Sequence, residues 1–133
     1  MIRKITADTL RSLPTTKVKE LFEALGPQKV EELKHDWNFW ARDAQLEPEG
    51  SWNTWFINAG RGFGKTRTGV EWVREQVKKG KKRIAAVAAT NSDIERVMVK
   101  GESGFLSVCW KGDKTYKGQK MGFPEWSPTK RTL

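Results

Sequence analysis

Cysteine and histidine are almost missing from this chain: Cys109 and His35 are the only ones. A lone cysteine excludes an internal disulfide, which fits a reducing compartment. His35 has no metal-ligand neighbour at useful spacing and reads as a surface residue. No apolar run approaches the roughly 20 residues of a membrane-spanning helix. The first residues, MIRKITADTLRS, lack the apolar core of a signal peptide. No internal repeat is visible.

What is present suits one modest domain. The chain has 133 residues, 37% hydrophobic and 31% charged. Its net charge of +9 is unevenly spread. Residues 1–50 carry 8 Lys and Arg against 9 Asp and Glu, and residues 51–133 carry 17 against 7. A polyanion partner follows naturally, and so does a plain solvated lysine surface. The run KKGKKR, residues 78–83, lies between a helix end and a strand start, so it reads as a solvated turn rather than an ATP phosphate pocket.

Hydrophobic spacing predicts the elements. Val18, Leu21, Phe22 and Leu25 form the stripe of an amphipathic helix, ended by Gly26-Pro27. Val30, Leu33, Trp37 and Trp40 predict a second helix over about 28–43, with both tryptophans in the core. LEPEGSW, residues 46–52, is a loop, and strand one is about 53–58. A helix then buries Val70, Val73 and Val77, with Gly69 packed closely on a sheet and Gly80 at its end. RIAAVAA, residues 83–89, predicts a strand covered on both faces. Ser92 with Glu95 predicts a capping box for a helix bearing Ile94, Val97 and Met98. The lysine-rich stretch 111–122 reads as mobile. Strand, helix, strand, helix implies an α/β fold with a parallel sheet, preceded by N-terminal helices. The predicted division is a helical lead-in, 1–50, and a partial P-loop domain, 51–133.

The most informative stretch is NTWFINAGRGFGKT, residues 53–66. A predicted strand runs into Gly60, Arg61, Gly62, Phe63 and Gly64, then Lys65 and Thr66 open a helix. That is the order of a phosphate-binding loop. Glycines let backbone N–H groups converge on one anion, and the helix opening adds its positive end. Lys65 is placed to reach the β- and γ-phosphates of ATP, and the Thr66 hydroxyl to ligate Mg²⁺. Ala59 stands where the general pattern places its first glycine. No apolar strand ending in Asp or Glu follows residue 90, so no carboxylate is visible to complete the Mg²⁺ site.

Residues 36–75 resemble the large subunit of tailed-phage terminases, with gene-transfer-agent and prophage versions nearest. The joint pattern is W-A-R-x-x-Q-L-x-P-x-G-x-W-x-x-W followed by G-R-G-F-G-K-T-R. The likeness continues through AATNSDIERVMVKGESGFL and weakly into SPTKR, covering roughly residues 30–131.

Terminases of this kind are ATP-driven motors that package double-stranded DNA into procapsids, and they carry a metal-dependent nuclease domain. The resemblance implies that Lys65 and Thr66 hold phosphate and Mg²⁺, and that Arg61 senses or stabilises the transition state in cis. For Arg61 an exposed loop arginine is the alternative. Gln45 falls where such motors read adenine, and a solvated loop glutamine is equally open. Trp52 and Trp55 wall the base or pack the sheet edge.

The implied partners are double-stranded DNA, a portal protein, a small terminase subunit and further copies in a ring. The implied place is the host cytoplasm at the procapsid portal, with no membrane. Relative to that family the chain stops before the acidic strand and the nuclease domain. The expectation is an N-terminal portion that binds ATP without turning it over alone. The alternatives are a non-functional prophage remnant and a non-enzymatic nucleotide- or DNA-binding module.

Overall fold

A computed structural model describes residues 6–133. Its contacts form two compact units, one ending at Leu46 and one spanning Glu47–Leu133.

The first unit is helical. Helix α1 (Ala7–Arg11) starts at Thr6, whose hydroxyl accepts from the Thr9 N–H at 3.3 Å. Helix α2 (Thr15–Lys34) is kinked at Gly26, which takes φ 76° and ψ 162° just before Pro27. Proline lacks the N–H a helix needs there, and glycine tolerates the positive φ. No residue of α2 is buried, so the stripe of Val18, Leu21, Phe22 and Leu25 has no continuous cover.

The predicted second helix does not run to residue 43. It ends at Lys34, and the Asp36 carboxylate restarts the chain as α3 (Trp37–Trp40) by accepting from the Asn38 N–H at 2.9 Å. That break resets the helical phase. Phe39 becomes the buried residue, while Trp40 is 51% exposed and donates its indole N–H to the Leu33 carbonyl at 2.9 Å. The predicted core pair Trp37 and Trp40 is corrected accordingly. Ala7 and Ala41 are buried with Phe39, and α1 packs against α3.

The second unit is built on α4 (Lys65–Lys78). Helix α5 (Asn91–Asp93) continues as one wider π-type turn, Ile94–Val99, and α6 (Phe105–Val108) follows. The Thr90 side chain, not Ser92, caps α5 by accepting from the Asp93 N–H at 3.1 Å. Val70 of α4 packs with Phe105 and Val108 of α6, and Val73 adds to that cluster. Val77 lies at the exposed end of the stripe. A Cβ at Gly69 would meet nothing within 4 Å, so no close packing explains that glycine.

The expected α/β fold with a parallel sheet is overturned. Residues 53–58 and 83–89 form neither helix nor ladder, and Asn53 and Ala89 lie in bends. Among the described residues the β-bridges are isolated: Lys114 with Lys120, and Ser127 with Thr132. Branched, aromatic and small residues favour an extended backbone. A sheet also needs neighbouring N–H and C=O groups in register, and apolar cover on its faces. Neither is supplied, since Phe56 is 82% exposed and Val87 83%. The burial in this unit is helix against helix.

Candidate functional site

The segment ending at Ala59 enters a turn and then α4. Gly62 has φ 82° and Gly64 φ 91°, both left-handed. These are the two loop positions at which a side chain would be strained. Gly64 is the N-cap of α4, and its carbonyl accepts from the Thr68 N–H at 2.9 Å. Ala59 is not left-handed, so a side chain is accommodated where the general pattern writes glycine. That accounts for the departure from the motif.

Lys65 turns back across the loop. Its ammonium donates to the Ala59 carbonyl at 2.7 Å and to the Gly60 carbonyl at 2.8 Å. The cation is therefore parked over the backbone that leads into the helix start. Arg61 and Gly60 are exposed, while Phe63, Gly64 and Thr66 are half-buried. The first amides of a helix have no intrahelical acceptor, and the helix dipole places partial positive charge at that end. Loop, helix start and ammonium thus concentrate donors for an anion on one short stretch.

Gln45 belongs to the other unit. It is buried, and its side-chain oxygen accepts from the Arg42 N–H at 3.1 Å and from Arg42 Nε at 3.3 Å. It closes the 3₁₀ turn Asp43–Gln45. Trp52 and Trp55 pack edge to face, with ring centroids 6.3 Å apart, and Trp52 donates to the Pro48 carbonyl at 3.0 Å.

For magnesium the donor set is limited. Among the described residues no group of three or more His, Cys, Asp or Glu side chains could hold a metal ion. Mg²⁺ is commonly held by one or two carboxylates together with phosphate oxygens and waters. The Thr66 hydroxyl offers one oxygen.

Farther along α4 lies a buried ionic cluster that sequence reasoning missed. Arg74 donates Nε to Asp113 Oδ2 at 2.6 Å and Nη2 to Asp113 Oδ1 at 2.5 Å. It also donates Nη1 to Glu71 at 3.0 Å, and Arg67 meets Glu71 at 2.7 Å. Lys78 stands 3.2 Å from Asp113. Burial alone would raise the Asp113 carboxyl, but hydrogen bonds and charge from Arg74, aided by Lys78, hold it below the usual carboxylate range. Burial would likewise discharge Arg74, and its carboxylate partners more than offset that. Tyr116 adds a hydrogen bond from its hydroxyl to Glu75, and its N–H donates to the Lys78 carbonyl at 3.2 Å. The stretch 111–122, expected to be mobile, is thereby fastened to α4. Spacings of three and four along α4 could have revealed Arg67, Glu71 and Arg74 as one face. Nothing local marks Asp113 as their partner.

No protein-family model matches the chain, and neither a curated protein nor a solved structure matches it.

Proposed function

We propose that residues 59–66 bind the phosphates of a nucleoside triphosphate. One observation carries the reading: the Lys65 ammonium is held over the Ala59 and Gly60 carbonyls at the opening of α4. A phosphate group arriving there offers the ammonium charged acceptors in place of two neutral ones. The bonds to the carbonyls are already charge-assisted through the ammonium, and a phosphate adds the attraction of an opposite charge. The left-handed Gly62 and Gly64 let the backbone close around the anion. Thr66 would contribute its hydroxyl to the nucleotide's Mg²⁺, and Arg61 a guanidinium to the outer phosphate.

The resemblance over residues 30–131 supports placing this loop in a DNA-packaging ATPase of the terminase large-subunit kind. In that setting the partners would be double-stranded DNA, a portal protein, a small subunit and further copies in a ring, in the host cytoplasm at the procapsid portal. The +10 excess of residues 51–133, from 17 basic against 7 acidic side chains, suits a polyanion. What supports nucleotide binding is the loop and helix.

Trp52 and Trp55 give a test, because they lie on the segment that leads into the loop. ATP with Mg²⁺ is expected to change tryptophan emission, and Trp52→Phe or Trp55→Phe to diminish the change. An unaltered emission spectrum at saturating ATP, with Lys65→Ala indistinguishable from the parent, would count against the reading.

A further inference from the structure

Segment 82–89 is unusual in what it leaves undone. Among the described residues its backbone makes no hydrogen bond; the chain's last bond before it is from the Lys81 N–H to the Gln76 carbonyl at 3.0 Å. Residues 82–88, ahead of the bend at Ala89, would span about 23 Å of unpaired donors and acceptors. Such an edge is a template for another strand.

The same segment forms one wall of a cleft of about 730 Å³ within the second unit. Arg83, Ile84, Ala85 and Ala86 line that wall. Val77, Met98 and Phe105 line the apolar remainder, and the cleft also meets Trp126, whose buried indole N–H has no partner. Lys81, Lys82, Arg83 and Arg131 also line the cleft, and none has an ion pair among the described residues. Asp113 touches the same cleft, but its carboxylate is taken by Arg74 and Lys78.

We propose that segment 82–89 and its cleft bind an extended peptide strand that carries both apolar and acidic residues. Backbone pairing along 82–89 would supply affinity. Within the cleft, apolar side chains would meet Val77, Met98 and Phe105, and acidic ones Lys81, Lys82, Arg83 and Arg131. A second copy of this chain is the weaker occupant, because each copy brings the same excess of positive charge. The site is separate from the phosphate loop, and its test uses no nucleotide.

The probe is a fluorescein-labelled peptide of four Glu-Val repeats, followed by anisotropy against the full chain. Saturable binding is expected. The combined variant Lys82→Glu, Arg83→Glu should weaken it by about ten-fold or more. Ala86→Pro removes one backbone N–H outside any helix or ladder, and should weaken binding with an unchanged circular dichroism spectrum. A peptide with alternate backbone amides N-methylated should lose binding. Equal binding by a Lys-Val peptide, or by the N-methylated one, would overturn the proposal. So would a failure to bind, or sedimentation showing that a second copy already occupies the segment.

Discussion

Arg74 and Asp113, 39 positions apart in the chain, meet as a doubly hydrogen-bonded pair in the interior, at 2.6 and 2.5 Å. The pair joins α4 to the stretch that follows α6. Their side chains are only 3% and 5% exposed, so neither charge has water to fall back on. Removing Asp113 leaves Arg74 paired with Glu71, and removing Arg74 leaves Asp113 paired with Lys78.

Asp113→Ala is therefore expected to destabilise the chain by about 3–5 kcal/mol, since a buried guanidinium loses its main partner. The double replacement Arg74→Met, Asp113→Leu should cost much less, because two desolvated charges disappear together. Urea denaturation of the three proteins checks the ordering. Equal losses for the single and double variants would show that the pair acts as packing volume rather than as charge.

The same pair sets a pH dependence. The Asp113 carboxyl is depressed in the folded state, against the tendency of burial, by Arg74 and Lys78. Its stabilisation is present above the unfolded carboxylate value of about 4 and fades as pH falls through the lower folded value. The gap in urea midpoint between the parent and Asp113→Asn should be widest near neutrality and narrow below about pH 4. A gap that widens on acidification would contradict the assignment.

Much of the loop is legible in the sequence, and the absence of a sheet is not. Glycines, Lys65 and Thr66 mark a tight turn into a helix because their chemistry is local. The Gly26-Pro27 break is legible for the same reason: Gly26 leaves helical geometry and divides Thr15–Lys34 into two helices across a kink. Strand character in 53–58 and 83–89 rests on composition, which reports backbone preference alone. Pairing is non-local, and no described segment supplies the complementary edge. Trp37 and Trp40 follow helical spacing, but Asp36 restarts the helix and shifts the phase by enough to bury Phe39. Asp113 sits in a polar, lysine-rich stretch that gives no sign of its burial.

Gly62 offers a local test of the loop. Its φ is 82°, and a Cβ added there would meet nothing within 4 Å, so any penalty for alanine is conformational. Gly62→Ala should cost about 1–2 kcal/mol if the left-handed turn is retained. If the loop simply rearranges, the thermal midpoint will not move.

Cys109 reports on the same interior. Burial pushes its thiol above the usual range, outweighing the pull of nearby Arg74. Alkylation by iodoacetamide near pH 8 should be slower than for a free cysteine peptide, because less thiolate is present. Urea should restore the ordinary rate. Fast labelling of the native chain would place the thiol in water.

Nucleotide binding at Lys65 is tested most directly by isothermal titration calorimetry with ATP and Mg²⁺. The parent chain should bind saturably, AMP should bind far more weakly, and Lys65→Ala should abolish binding while leaving the circular dichroism spectrum intact. Lys82→Ala, which removes a positive charge away from the loop, should bind as the parent does. Equal isotherms for the parent and Lys65→Ala, or a loss matched by Lys82→Ala, would contradict the account by reducing the interaction to general positive charge.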